Sequence, residues 1–246
     1  MAYFKSFPKI LYRFGDNEKP AIFNNLSAYV DLFDQVVDDV SFYENYSIKN
    51  NERPDTVSYL LYNDVQYYWT FFLLNHHLRE SGWPMTEQRL RIKLMESYPN
   101  ITLTTYDNIS TSSFIPGASV MGSRSGAEGV ILRVNLNLGQ IVVKQTSTTA
   151  NFRAGEQLHY IENQLVADQC FISNVVEQYN SVHHYETLDG EYYDYDPLQG
   201  APSSGVIPVT YADRFELKNI ELRTIKVIKP AIIQQIAQSF TSAMVS

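Results

Sequence analysis

The sequence predicts an α+β protein in which helix-forming and strand-forming segments occupy different parts of the chain. Apolar residues recur at helical spacing between positions 57 and 74, and again between 233 and 240. From Ile101 the pattern changes to short strands, and six of the eleven glycines fall between Gly117 and Gly155. This change of composition predicts a small β-rich insertion domain between two helical regions.

The chain is expected to divide into four segments. They are an N-terminal arm with a hairpin and a helix at 1–42, a core with a following helix at 43–100, the β-rich insertion at 101–182, and a Tyr-rich acidic loop with a strand–helix tail at 183–246. Inside the insertion, short strands are predicted from about Ser113 to Ile161. The stretch 161–182 is left without an assignment.

The arm is predicted to be extended. Residues 9–14 are strand-like, Gly15-Asp16-Asn17 makes a turn, and residues 19–23 pair back as a hairpin. Residues 24–40 then carry apolar side chains at helical spacing.

Two helices are predicted after a short half-buried strand at Tyr46 and Ile48. Pro54 suits a first helical position, Asn63 suits a left-handed helix end, and Asp64 can cap the second helix. The apolar positions are Val57, Leu60 and Leu61 in the first helix, and Val65, Tyr68, Trp69, Phe72 and Leu73 in the second, with Phe71 and Leu74 beside them. We interpret these side chains as core and not as a ligand site.

The later elements follow from caps, turns and apolar stripes. Thr86 can cap a helix at 87–98 that buries Leu90, Leu94, Met95 and Tyr98, and strands at 130–134 and 141–144 flank a turn at 137–139. Residues 183–205 are predicted to be a surface loop. A helix is expected from 211 to 222 and a strand from 224 to 228. Pro230 is expected to open a last helix whose apolar stripe is Ile233, Ile236, Ala237 and Phe240.

Composition argues against several functions. A net charge of -8 disfavours broad binding to nucleic-acid phosphates. The single cysteine, Cys170, excludes an internal disulfide framework, and we expect synthesis in a reducing cytoplasm. The N-terminus lacks the apolar run of a signal peptide, and no stretch approaches the roughly 20 apolar residues of a membrane span. We therefore expect no nucleic-acid or membrane partner.

No motif supports catalysis, a cofactor or a metal. Arg124, and not Ser, occupies the centre of the Gly122–Gly126 run, so that run is not a nucleophile elbow, and turn glycines explain it better. The pairs His76-His77 and His183-His184 are poor joint ligands, because strand neighbours point to opposite faces. The acidic residues after His183 lack the spacing of a calcium loop, and the sequence leaves a carboxylate pair for glycoside cleavage open without supporting it. We predict a protein that is not an enzyme.

Five short motifs occur in an order that resembles a known family. They are Arg53-Pro54-Asp55, Tyr62-Asn63-Asp64, Tyr67-Tyr68-Trp69, Leu73-Leu74-Asn75 and Gly82-Trp83-Pro84, and the C-terminal run from Tyr211 to Pro230 adds to them. This pattern resembles a baseplate wedge protein of contractile-tailed bacteriophages. The family usually has Gly at the position of Asn63, but Asn also tolerates the left-handed conformation.

The resemblance implies a LysM-like β-α-α-β core with an N-terminal arm and a C-terminal helix. Its core motif residues are Arg53, Pro54, Asp55, Tyr62, Asp64, Tyr68, Trp69, Asn75, Trp83 and Pro84. It also implies a structural virion protein that joins neighbouring wedges, or wedge to hub. Its partners are expected to be other wedge proteins and hub or sheath-initiator proteins, with six copies per baseplate.

Two functional surfaces are predicted on this basis. The candidate partner interface comprises Phe4, Phe7, Tyr12, Ile233, Ile236 and Phe240. Removal of residues 1–20 or 230–246 is accordingly expected to leave a folded core and to block assembly. The alternative is a tail-associated peptidoglycan-binding module, with its sugar site around residues 50–53 and 75–78.

Overall fold

The computed structural model describes residues 8–13, 19–24, 39–163, 165–202 and 204–245. The chain forms two compact units, of which unit 1 comprises residues 1–87 and 218–246 and unit 2 comprises residues 88–217. Helix accounts for 30% and strand for 33% of the protein, which confirms the predicted α+β class. Unit 1 is therefore built from two separate stretches of sequence.

The described residues form fourteen strands and six α-helices. The strands are β1 (Lys9–Tyr12), β2 (Ala21–Asn24), β3 (Tyr43–Ser47), β4 (Ile101–Thr104), β5 (Ser119–Gly122), β6 (Glu128–Asn135), β7 (Gln140–Gln145), β8 (Gln157–Glu162), β9 (Leu165–Phe171), β10 (Asn174–Glu177), β11 (Val182–Thr187), β12 (Tyr192–Tyr193), β13 (Val206–Thr210) and β14 (Thr224–Ile228). The helices are α1 (Pro54–Tyr62), α2 (Trp69–Leu74), α3 (His76–Ser81), α4 (Glu87–Ser97), α5 (Tyr211–Glu221) and α6 (Ile233–Val245).

Unit 1 is organised around an antiparallel pair of strands that are distant in sequence. β3 pairs with β14 in a register that places Tyr43 opposite Ile228 and Ser47 opposite Thr224. Helices α1 to α3 follow β3 directly, whereas β14 follows unit 2. One core cluster contains Ile48, Val57, Phe71, Leu78, Leu222, Ile225 and Val227, and the other contains Trp69, Leu74, Ile228, Ile233, Ile236 and Phe240.

The first predicted helix is confirmed at both ends. Pro54 opens α1, and Asn63 closes it with a φ of 54° in the left-handed region. The apolar face is narrower than predicted, because Leu60 is exposed. Only Val57 and Ser58 of α1 are fully buried.

The second predicted helix is broken into three pieces. Asp64 caps only a short 3-10 turn at Val65–Tyr67, and α2 and α3 are separated at Asn75, whose backbone is extended. Trp69, Phe71 and Leu74 are buried as predicted, and Tyr68, Phe72 and Leu73 pack partly buried against the two cores, while Val65 is exposed.

The predicted N-terminal hairpin is confirmed. β1 and β2 are antiparallel, with Leu11 opposite Ile22 and Ile10 opposite Phe23. Phe4, Phe7, the predicted turn at 15–17 and most of the predicted helix at 24–40 lie outside the described residues.

Unit 2 contains a curled antiparallel sheet in the strand order β10-β4-β7-β6-β5-β8-β9. β9 and β10 lie at opposite edges, although only Ile172 and Ser173 separate them in sequence. The two edges therefore meet through one continuous segment. Ser173 N–H donates to the Thr104 carbonyl at 2.8 Å, and Phe171 N–H donates to Asp107 Oδ2 at 2.7 Å.

The inside of this curled sheet is the core of unit 2. Its buried side chains are Leu103, Ile109, Phe114, Val120, Ala127, Ile131, Ile141, Val143, Phe152, Leu158, Cys170 and Ile172. The predicted turn between β6 and β7 is confirmed, and Gly139 occupies it with a φ of 59°. A Cβ at Gly139 would lie 2.2 Å from the Thr105 carbonyl oxygen, so both conformation and space require glycine there.

Residues 183–205 are only in part the predicted surface loop, because two pieces of the segment form strands, while most of the described residues from 188 onward are exposed and lie outside these strands. They contribute most of β11 and all of β12, which belong to a three-stranded sheet in the order β12-β11-β13. The segment is polar because much of this sheet is only half-buried. Two smaller corrections concern helix residues: Met95 of α4 is exposed, and Pro230 precedes α6 in a turn instead of opening it.

Candidate functional site

The Asn75 side chain fastens the break between α2 and α3 to β14. Its Nδ2 donates to the Phe71 carbonyl at 2.8 Å and to the Lys226 carbonyl at 2.9 Å. Its Oδ1 accepts from Lys226 N–H at 2.9 Å. Asn75 is only 4% exposed. Its amide therefore makes the two hydrogen bonds to the Lys226 main chain that a neighbouring strand would otherwise make at the middle of β14.

Two aromatic motif residues also bind the main chain. Tyr62 Oη donates to the Ile228 carbonyl at 2.9 Å, at the end of β14. Trp83 Nε1 donates to the Glu52 carbonyl at 2.7 Å, in the turn before α1. Burial, with Glu44 nearby, raises the pKa of Tyr62 and keeps its hydroxyl a donor. Both aromatic side chains therefore join segments of unit 1 through backbone carbonyls.

The other motif residues shape helix ends and the core. Asp64 Oδ1 accepts from Gln66 N–H at 2.8 Å, and its carbonyl accepts from the buried Ser58 hydroxyl at 2.6 Å. Trp69 packs on Phe240 of α6 with ring centroids 4.8 Å apart. Tyr68 and Pro84 are half-buried.

Arg53 and Asp55 behave differently because they face solvent. Their side chains lie 3.3 Å apart (Nε to Oδ1) at the start of α1, where Pro54 fixes the backbone. An exposed pair of this kind contributes little to stability. Arg53 is thus a motif side chain that a partner can reach.

The described residues of the candidate partner interface lie in two different environments. Tyr12 lies exposed on the hairpin, whereas Ile233, Ile236 and Phe240 are buried in the core of unit 1. The α6 stripe faces Trp69 and Leu74, so these three side chains stabilise the fold and are not presented to a partner. The sequence pattern found an apolar helix face correctly, but it did not specify what covers that face.

The β1–β2 hairpin presents apolar side chains on both faces. Leu11 and Ile22 are opposite each other on one face and are 71% and 69% exposed. Ile10, on the other face, is also exposed. A two-stranded hairpin with little burial is marginal alone in water. The described part of the chain therefore leaves apolar surface of the hairpin uncovered.

Sequence reasoning missed the role of Glu156 in unit 2. Its carboxylate accepts from Arg124 N–H at 2.9 Å, from Ser125 N–H and Oγ at 2.8 Å each, and from Arg153 N–H at 2.7 Å. Burial raises the pKa of Glu156, but these hydrogen bonds outweigh burial and hold the pKa below its usual value. Gly126 has a φ of 65° and is a turn residue, as predicted, whereas Gly122 lies in β5, where a Cβ would come within 2.4 Å of Ser125 Oγ.

Cys170 is a free cysteine, and its side chain is buried. Burial, with Asp107 and Asp168 nearby, raises the pKa of Cys170 to about 12, which makes its thiol unreactive. Among the described residues, no group of three or more His, Cys, Asp or Glu side chains is placed to hold a metal ion. Within the same residues, no helix is both long and apolar enough to cross a bilayer.

The His183-His184 pair corrects a geometric expectation. A register shift in the β11–β13 pairing makes His183 an extra, bulged residue, since Val182 lies opposite Thr210 and His184 opposite Val209. The two rings therefore meet, with their Nδ1 atoms 2.9 Å apart, instead of pointing to opposite faces. No pattern in the sequence signals this bulge.

The buried motif residues hold the segments of unit 1 together, and the β1–β2 hairpin leaves apolar side chains exposed. The family model described as "Base plate wedge protein 53" matches residues 8–106, a segment that runs from the hairpin through β4. No curated protein matches the chain.

This match supports a phage baseplate wedge protein. The family suggests a structural role in the tail baseplate of the virion and implies an association with other baseplate proteins. The match covers 99 of the 246 residues, and it includes all ten core motif residues but only the start of unit 2.

Proposed function

We propose that this protein joins neighbouring wedges, or a wedge to the hub, while the contractile tail assembles. Its partners are other wedge proteins and hub or sheath-initiator proteins, and each baseplate contains six copies. One observation carries the proposal: the β1–β2 hairpin, inside the family segment, exposes apolar side chains on both faces. Exposed side chains contribute most to the free energy of binding when they become buried in a pocket of a partner.

We also propose that unit 1 is a LysM-like unit with an interrupted sequence. A strand, helices and a closing antiparallel strand occur in the order β3, α1 to α3 and β14, with unit 2 between α3 and β14. The hydrogen bonds of Tyr62 and Asn75 to β14 hold this arrangement together. In this proposal the core serves as a rigid base for the hairpin.

The test is a double substitution, Leu11→Asp with Ile22→Asp, in phage that depend on this gene. We expect the purified variant to unfold at the same temperature as the wild type, because substitutions of exposed side chains change stability by about 0.5 kcal/mol or less. We expect assembled baseplates, counted by electron microscopy of infected lysates, to fall at least about tenfold, because two carboxylates are costly to bury in an interface.

The matched control is Leu165→Asp with Leu188→Asp. These leucines are 72% and 76% exposed in unit 2, outside the family segment. Normal baseplate numbers are expected for the control. Normal numbers for the hairpin variant would contradict the proposal. The copy number is tested separately, by quantifying this chain against the other proteins of purified baseplates.

The alternative hypothesis, peptidoglycan binding, now has a narrower site. Asn75 and Leu78 are buried, so the residues of this site that a sugar can reach are Asn50, Asn51 and Arg53 in the first segment and His76 and His77 in the second. The measurement is retention of the purified chain on insoluble peptidoglycan, compared with Arg53→Ala. Retention that is lost in Arg53→Ala would favour this alternative. Asn75 is unsuitable for the test because its substitution disturbs the fold.

A further inference from the structure

A chain of four side chains connects α5 with β11 in unit 2. Arg214 Nη1 lies 2.6 Å from His183 Nε2, and His183 Nδ1 lies 2.9 Å from His184 Nδ1. His184 Nε2 lies 2.8 Å from Glu186 Oε1. Arg214 belongs to the first turns of α5, whereas the other three residues belong to β11.

Only one arrangement of hydrogens satisfies all three contacts. A guanidinium can only donate, so His183 Nε2 must accept from Arg214. Neutral His183 then carries its hydrogen on Nδ1 and donates to His184 Nδ1. Neutral His184 consequently carries its hydrogen on Nε2 and donates to the carboxylate of Glu186. Both tautomers are thus fixed by the ends of the chain.

One additional proton on either ring breaks this arrangement. If His184 gains it, two N–H groups face each other between the rings. If His183 gains it, or changes tautomer to relieve that clash, an N–H group faces the Arg214 guanidinium. No placement of the extra proton leaves all three contacts intact.

The surroundings of the two rings also oppose positive charge on His183. Tyr211 of α5 packs edge-on against His183, with centroids 5.0 Å apart, and its hydroxyl accepts from Arg133 of β6 at 3.1 Å. Tyr192 of β12 stacks on His184 at 5.9 Å. Burial, followed by Arg214, His184 and Arg133, lowers the pKa of His183.

We propose that this chain of side chains is an acid-sensitive clamp, which holds the first turns of α5 on β11 while both histidines are neutral and releases them when one is protonated. An unfolded histidine titrates near pH 6.5. Because folding lowers the pKa of His183, the folded state binds fewer protons at His183 than the unfolded state just below that pH, so stability falls as the pH falls there.

Release is expected to be local, because other contacts on α5 do not involve the histidines. Thr210 N–H and Oγ1 both donate to Asp213 Oδ2 at 2.8 Å. Tyr98 lies against Tyr211 and Phe215, with centroids 4.7 and 5.9 Å apart. The clamp therefore regulates how firmly the start of α5 is held, and the helix itself persists.

The first test uses the full chain with ¹⁵N-labelled histidine. Two-bond ¹H–¹⁵N correlation spectra at pH 7.5 report which ring nitrogen carries the hydrogen, with assignments from single His→Gln variants. We expect the hydrogen on Nδ1 of His183 and on Nε2 of His184. A hydrogen on Nε2 of His183 would overturn the proposal.

The second test follows amide hydrogen exchange of residues 213–217 at pH 7.5 and 5.5, corrected for intrinsic rates. Exchange in the wild type is expected to accelerate about tenfold at pH 5.5, because local opening determines protection. In a variant with both His183→Gln and His184→Gln, each amide oxygen can still accept and each amide nitrogen can still donate along the chain from Arg214 to Glu186, but neither side chain titrates. We expect no acceleration in that double variant, and the wild-type response in His159→Gln of β8. Equal acceleration in the double variant, or none in the wild type, would refute the clamp.

Discussion

Asn75 lies at the break between helices α2 and α3, and its side chain makes a pair of hydrogen bonds to β14 that no other motif residue makes. Its extended backbone ends α2, and its amide satisfies both the N–H and the carbonyl of Lys226. Because the Asn75 side chain is buried, water could take the place of its amide nitrogen as a hydrogen-bond donor only if this part of unit 1 opened locally. The Leu73-Leu74-Asn75 motif is therefore explained by pairing with β14 and not by contact with a ligand.

We predict that Asn75→Asp lowers the free energy of unfolding by about 2–4 kcal/mol. The substitution keeps the size of the side chain, but it replaces the donor to Phe71 and Lys226 carbonyls with a carboxylate oxygen. Urea denaturation followed by tryptophan fluorescence measures the change, since Trp69 and Trp83 are both in unit 1. Asn45→Asp, at an exposed position of β3, is the control and is expected to change stability by less than about 0.5 kcal/mol. Equal stability of the two variants would contradict this role for Asn75.

Local rules predicted the residues whose partners are close in sequence. Pro54, Asn63 and Asp64 act within one helical turn of their own positions, so propensity and capping preferences were sufficient. The partner of Asn75 is 151 residues away, and its role depends on a strand pairing that local rules do not contain. Glu156 is similar, because its hydrogen-bond donors at 124 and 125 are brought to it by the curled sheet.

Helix α6 is part of the fold, contrary to its predicted use as a removable docking tail. Ile233, Ile236 and Phe240 bury the same stripe that the sequence indicated, and Phe240 packs on Trp69. An amphipathic pattern identifies a face that must be covered, but it does not say whether the cover belongs to the same chain. Here the cover is α2 and the end of β14.

We predict that Phe240→Ala lowers the free energy of unfolding by about 3–5 kcal/mol, because truncation removes buried aromatic area and leaves a cavity. Gln235→Ala lies on the exposed side of α6 and is expected to have an effect below about 0.5 kcal/mol. Thermal and urea unfolding of the two purified variants measure the difference. If Phe240→Ala were as stable as Gln235→Ala, α6 would be a dispensable tail as first expected.

Strands were not predicted from the sequence where the strand is very short or where the strand that pairs with it is distant in sequence. β12 has two residues, and its assignment depends on pairing with Tyr185 and Glu186 of β11. β9 and β10 were left without an assignment, because their apolar and polar residues alternate irregularly around the point where the sheet edges meet. Strands with regular alternation and a glycine turn, such as β6 and β7, were predicted closely.

At the scale of the whole chain, unit 1 depends on residues that follow unit 2. β14 supplies Ile225, Val227 and Ile228 to the two cores of unit 1, and α6 supplies three further buried side chains. Unit 2 has its own core cluster, whose members all lie between Leu103 and Ile172. Unit 1 therefore requires the C-terminal part of the chain for its core, whereas the core cluster of unit 2 contains no residue from that part.

We predict that a chain ending at Leu217 keeps unit 2 folded and leaves unit 1 unfolded. The truncation removes the strand that pairs with β3 and the helix that covers Trp69. It thereby removes about half of the side chains in the two buried clusters of unit 1, and the side chains that remain lose these contacts. Hydrogen exchange read by mass spectrometry separates the units: protection is expected to disappear in α1 to α3 and to persist in β4, β6 and β7. The full-length chain, measured in parallel, gives the reference protection of both units. Persistent protection of α1 to α3 would mean that the helices pack without β14, and loss in both units would mean that they fold as one cooperative unit.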